Sequence, residues 1–116
     1  MLYHGSTYVV GRLGAEIAYV IADRKLGLKD IVLEEPSKGG RDLYTRDNTV
    51  AIQARLLVNI PPDQLEKTIQ GELFSLREKL RQDYANQPDM RDGYAILSYV
   101  DTDGMVRTII LEVPRQ

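Results

Sequence analysis

The chain has 116 residues, of which 43% are hydrophobic and 28% charged, and these values predict one folded domain over residues 1–116 rather than a disordered or fibrous chain. A formal charge of -2 excludes a global positive field that would attract nucleic acid, and the absence of cysteine excludes disulfides, thiolate metal sites and cysteine nucleophiles. No segment approaches the roughly 20 apolar residues that a membrane span requires, so we expect a soluble, cytoplasmic protein with no membrane partner.

The N-terminal quarter of the chain predicts a helix, because apolar residues recur there at the spacing of one helical face. Gly11 and Gly14 lie inside this pattern and indicate close approach by a neighbouring element. Gly27 follows the pattern and is expected to end the helix. The face predicted to contact the core consists of Val9, Leu13, Ile17, Val20 and Ile21.

Three strands and a second helix are predicted next. Residues 30–35 and 41–45 form a hairpin around a turn at 36–40, and residues 49–60 form the longest strand. A helix with a buried leucine stripe follows from about residue 62 to residue 87, and the chain closes with a hairpin around an Asp-Gly turn. The order αβββαββ predicts an α/β (α+β) domain with a mixed central sheet flanked by helices.

Polar residues are expected to converge from one helix and two strands. Glu16 lies close to the apolar stripe of the first helix, where an unpaired carboxylate would be costly. Gln53 and Arg55 lie two positions apart and therefore on one face of the longest strand, while Asp42 belongs to the strand alongside. Carboxylate and amide oxygens suit a divalent cation and a guanidinium suits phosphate, so this set predicts a metal and phosphate site.

This arrangement of residues resembles the PD-(D/E)xK nuclease superfamily, which includes restriction enzymes and archaeal Holliday junction resolvases. The resemblance covers residues 8–100 and implies a restriction endonuclease-like fold that binds or cleaves DNA by Mg²⁺-assisted phosphodiester hydrolysis. It implies that Glu16, Asp42 and Gln53 are metal ligands and that Arg55 occupies the lysine position. The motif is degenerate, because Gln53 brings no negative charge and Arg55 stays protonated and cannot act as a base.

Four basic residues are candidates for phosphate contacts around this site, and a homodimer is the expected assembly of such a nuclease-like domain. The predicted nucleic-acid-binding residues are Lys25, Lys38, Arg41 and Arg46.

Two other interpretations of the sequence are open. In the first, the domain is a catalytically inactive module that binds protein or nucleic acid, Arg55 pairs directly with Glu16 or Asp42, and the leucine stripe of the second helix pairs subunits. In the second, the resemblance is accidental and the chain is an unrelated α+β domain, with Asp42 serving a turn and with Gln53 and Arg55 on an outward strand face.

Overall fold

Two helices and five strands make up the computed structural model, which describes residues 4–34 and 41–115. The element order is the predicted αβββαββ, and a single turn of 3₁₀ helix at Pro62–Gln64 leads into the second helix. The elements are α1 (His4–Arg24), β1 (Ile31–Leu33), β2 (Leu43–Thr45), β3 (Val50–Leu57), α2 (Leu65–Asn86), β4 (Asp92–Val100) and β5 (Val106–Pro114).

The five strands form one mixed sheet in the order β1-β2-β3-β4-β5. The pairs β1–β2, β2–β3 and β4–β5 are antiparallel, which confirms the closing hairpin and the pairing of the first two strands. The turn predicted at 36–40 lies outside the described residues. Strands β3 and β4 are parallel, and parallel neighbours require a crossover connection, which α2 provides.

Both faces of the central strand β3 are covered, because successive side chains point to opposite sides of the sheet. Ala51 packs with α2 on one face, whereas the next residue, Ile52, packs with α1 on the other. The predicted leucine stripe of α2 contributes Leu65, Leu76 and Leu80 to the core of its own chain. The hypothesis that this stripe pairs two subunits is therefore wrong, because its leucines already contact the sheet of their own chain.

Helix α1 contacts the sheet through small residues, and the inner face predicted for it is wrong in part. Val9 and Leu13 are 61% and 45% exposed, and Val20 also faces outward. A Cβ atom added to Gly14 would lie 3.1 Å from the Leu56 backbone nitrogen, which confirms the close approach predicted there. The corresponding atom on Gly11 would meet nothing within 4 Å. The residues that face the sheet are Gly14, Ala15, Ala18 and Ala22.

Candidate active site

Asp42 lies immediately before β2, and its side chain is fixed against the neighbouring strand. Its Oδ2 accepts a 2.8 Å hydrogen bond from the backbone N–H of Ala54. Ala54 is the middle residue of the segment 53–55, so the carboxylate of Asp42 lies beside the backbone that carries Gln53 and Arg55. The structure thus brings together three of the four residues that the sequence singled out.

Gln53 is 2% exposed and its amide reaches the second helix. Its Nε2 donates a 2.8 Å hydrogen bond to Oδ2 of Asp83, a carboxylate that is only 6% exposed. Asp83 was not among the residues predicted from the sequence, although a signal was present. Asp83 follows Leu76 and Leu80 at helical spacing and therefore lies on the buried stripe, where an acidic side chain needs a partner.

Arg55 is also held by α2, through an ion pair in which its Nη1 lies 2.9 Å from Oε1 of Glu72. That oxygen makes no hydrogen bond of good geometry, so charge rather than alignment holds the contact. The hypothesis that Arg55 pairs directly with Glu16 or Asp42 in an inactive module is therefore wrong. Hereafter the polar cluster denotes Asp42, Gln53, Arg55, Glu72 and Asp83.

The structure does not bring Glu16 to the polar cluster. Glu16 is exposed, and its carboxylate pairs with Nε of Arg12 at 3.3 Å, one helical turn earlier. The physical reason is that α1 contacts the sheet through Ala15 and Ala18, which leaves Glu16 on the outer side of the helix. Moreover, α1 covers one face of β3, whereas the side chain of Gln53 extends from the other face to Asp83 of α2.

Burial raises the pKa of the Asp42 carboxyl above its ordinary value. The hydrogen bond from Ala54 acts against this effect by stabilising the ionised form. The positive charges of Lys79 and Arg55 also lower the pKa, without cancelling the effect of burial. Asp42 is therefore a carboxylate whose negative charge its surroundings stabilise only in part.

Burial likewise raises the pKa of Asp83. The hydrogen bond from Gln53 is the largest opposing effect, followed by the charge of Arg41. The negative charge of Asp42 raises the pKa further, and the positive charge of Lys79 lowers it. Two acids with raised pKa values thus interact within one cluster, and perturbed pKa values are enriched at functional sites.

Three of the four predicted nucleic-acid-binding residues lie in the part of the chain that the structure describes. Arg41 lies close enough to the polar cluster for its charge to lower the pKa of Asp83, and its guanidinium stacks 3.8 Å above the Tyr44 ring and donates to Asn48 of the β2–β3 turn at 2.9 Å. Arg46 lies in the β2–β3 turn at the other end of β2, against the loop that follows α1, and Lys25 begins that loop. Lys38 lies outside the described residues.

The polar cluster can supply two carboxylates and one amide to a cation. No group of three or more acidic, histidine or cysteine side chains able to hold a metal occurs within residues 4–34 and 41–115. Mg²⁺ does not require such a cage, since proteins often bind it through one or two carboxylates together with waters and substrate phosphates. Asp42 and Asp83 are two carboxylates of this cluster, and burial disfavours the ionised form of each.

Comparisons with models of protein families, with curated proteins and with solved structures find no match to this chain. In the part of the chain that the structure describes, neither helix combines the length and the apolar character that crossing a bilayer requires.

Proposed function

We propose that this chain is a nuclease-like domain that binds DNA at the polar cluster and hydrolyses its phosphodiester backbone with the help of Mg²⁺. One observation carries the proposal: the half-buried carboxylate of Asp42 is held against the backbone of residues 53–55, and Gln53 of that segment donates a hydrogen bond to the buried carboxylate of Asp83. The resemblance of the segment 41–55 to the PD-(D/E)xK pattern supports the same function.

A cation at the polar cluster would be favoured by charge. Burial raises the pKa of both carboxyls, and the negative charge of Asp42 raises the pKa of Asp83 further, so the surroundings do not fully stabilise either ionised form. A bound divalent cation would stabilise both charges at once. When bound, Mg²⁺ would polarise a phosphoryl oxygen and lower the pKa of a coordinated water.

Four residues of the polar cluster have distinct roles in this proposal. Asp42 and Asp83 would hold the cation, and Gln53 would orient Asp83 through its amide hydrogen bond. Arg55 would stabilise negative charge on the phosphate without exchanging a proton, because a guanidinium stays protonated. The proposal therefore assigns no general base to the protein.

Two measurements on the purified protein test this function. Duplex and branched DNA are incubated with Mg²⁺ and either the wild type, Asp42→Asn or the control Asp63→Asn, which alters an exposed carboxylate in the 3₁₀ turn. We expect cleavage by the wild type and the control but not by Asp42→Asn. Mg²⁺ should also raise the thermal midpoint of the wild type, since a ligand at 100 times its Kd adds about 2.7 kcal/mol. Intact DNA with every divalent metal would refute the catalytic part.

A second candidate function is a non-catalytic interaction module. The observation that favours it is that Gln53 and Arg55 each contact a carboxylate of α2, so both side chains serve to attach the helix to the sheet. DNA binding without cleavage in any divalent metal would support this second function, and absence of both binding and cleavage would exclude DNA as the partner.

The proposal also includes a cytoplasmic location and a homodimer. A duplex presents two strands, and two copies of the domain would place one polar cluster at each strand. Light scattering on the protein, with and without duplex DNA, measures the mass of the assembly, and a monomer bound to DNA would refute the dimer alone.

A further inference from the structure

The cations at the polar cluster differ in whether protein groups already bind them. Arg55 forms the ion pair with Glu72, and Arg41 is held by Asn48 and the ring of Tyr44. A guanidinium that is fixed in this way can meet a phosphate only where the protein already holds it.

Lys79 is different, because its ammonium forms no hydrogen bond or ion pair with any residue that the structure describes. It lies on α2 one turn before Asp83, so the two side chains share a helix face. Asp83 is anchored to Gln53 of the sheet, which fixes that face toward the polar cluster. Lys79 is exposed whereas Asp83 is buried, so the ammonium lies on the solvent side of the carboxylates.

The charge of Lys79 reaches the polar cluster. It lowers the pKa of both Asp42 and Asp83, opposing the effect of burial, and in Asp42 its effect exceeds that of Arg55. An ammonium on a flexible four-carbon chain can therefore remain near the carboxylates and still reach a ligand in solvent.

We infer that Lys79 contacts a backbone phosphate of bound DNA and adds to Arg55 a second cation, one that no described protein group already binds. The inference rests on the proposed function and adds to it a substrate-binding residue from α2. The ligand chemistry is the phosphodiester of the proposed substrate, whose oxygens a compact ammonium binds as a point charge without a bidentate requirement.

The salt dependence of DNA affinity tests the role of Lys79. The dissociation constant of the wild type for a short duplex is measured between 50 and 200 mM salt and compared with Lys79→Met, which keeps most of the aliphatic stem. Loss of one phosphate contact should reduce the slope of log affinity against log salt by about 0.9. The variant would then lose about threefold less affinity across this range than the wild type.

Two further variants separate a phosphate contact from a structural role. Lys67→Met alters an exposed lysine at the start of the same helix and should leave the slope unchanged. Lys79→Arg keeps the charge and should restore the wild-type slope. A mere stabilising role for Lys79 would change the free energy of unfolding but not the slope.

The outcomes distinguish this inference from the proposed function. DNA binding by the wild type with an unchanged slope in Lys79→Met overturns the inference and leaves the proposed function standing. Absence of DNA binding by the wild type overturns the proposed function, and the inference with it. A slope reduced equally by Lys67→Met overturns the specific assignment to Lys79.

Discussion

The two faces of the sheet are closed by different means. On one face, α1 approaches the strands through glycine and alanine, and its larger apolar residues Val9 and Leu13 face outward. On the other face, α2 packs leucines against the sheet and adds polar contacts, of which Gln53 with Asp83 is the most buried. The stability of the α1 face therefore depends on how closely the helix and strand backbones approach. The stability of the α2 face depends on side-chain volume and on paired polar groups.

This difference indicates where chemistry can be placed in the fold. A helix packed through alanines leaves little room for polar side chains between helix and sheet. Helix α2 contacts the sheet through longer side chains, both apolar and polar. The polar cluster lies on this face.

The largest expected effect comes from removing side-chain volume on the α2 face. Leu80 is fully buried, so Leu80→Ala should lower the free energy of unfolding by about 2–5 kcal/mol through lost burial and a residual cavity. Leu13→Ala on the exposed side of α1 is the matched truncation and should change it by less than about 0.5 kcal/mol. Urea denaturation measures both, and similar losses would contradict the described orientation of α1.

The close contact of α1 predicts an effect of added volume on the opposite face. Gly14→Val should destabilise the protein by about 1–3 kcal/mol, because the new side chain would meet backbone atoms of Arg55 and Leu56 that cannot move aside alone. Gly11→Val introduces the same residue in the same helix where a Cβ atom meets nothing within 4 Å. The difference between the two variants isolates the steric term, and equal unfolding midpoints would refute the close approach.

Breaking the buried polar contact should have an effect of similar or smaller size. Gln53→Leu removes the hydrogen-bond donor of Asp83 and should cost about 1–3 kcal/mol at neutral pH, because a buried acceptor is left unsatisfied. Replacing both Gln53 and Asp83 with leucine should recover a substantial part of the lost free energy of unfolding. A double variant whose loss equals the sum of the two single losses would show that the residues do not interact.

The smallest expected effect is a dependence of stability on pH. The Asp83 pKa is raised in the folded state, mainly by burial, so between its ordinary value of 3.8 and the raised value the native chain binds more protons than the unfolded chain. The wild type should therefore lose stability relative to Asp83→Asn as pH rises through that window. Below and above the window, the difference in free energy of unfolding between the two proteins should not change with pH.

Asp47 provides the control of opposite sign for this pH dependence. Its pKa is lowered, first by the hydrogen bond from the Thr49 hydroxyl and then by that from Thr45. The advantage of the wild type over Asp47→Asn should therefore be present above pH 3.8 and disappear as pH falls through the lowered pKa. Chemical denaturation at a series of pH values measures both variants, and the same sign for both would contradict the assigned environments.

Much of the fold was predictable because the elements differ in period and are separated by turn residues. The order of elements, the two hairpins and the buried stripe of α2 follow from those patterns. The orientation of α1 was not predictable from the same rule, which assumes that the largest apolar residues face the core. Here Gly14 and Ala18 face it instead, because a close backbone approach can bury more of the sheet than valines would allow.

The residues that the sheet contributes to the candidate site were predictable, whereas their partners on α2 were not predicted. Strand alternation and antiparallel pairing placed Asp42, Gln53 and Arg55 together, since those relations depend on local spacing. The partners from α2 depend on how a helix settles on the sheet, which spacing alone does not determine. Asp83 could have been identified from its position on the leucine stripe, and Glu72 carries the same signal, because it lies three residues after Ile69 and four before Leu76.

The parallel pairing of β3 with β4 has a consequence for how the polar cluster forms during folding. Gln53 and Asp83 are 30 residues apart, and they meet only after the intervening helix has packed onto the sheet. The first three strands can pair through short-range contacts, but nucleating them does not assemble the cluster. A nascent or partly folded chain would therefore carry an incomplete cluster, and any activity located there would report on completed folding.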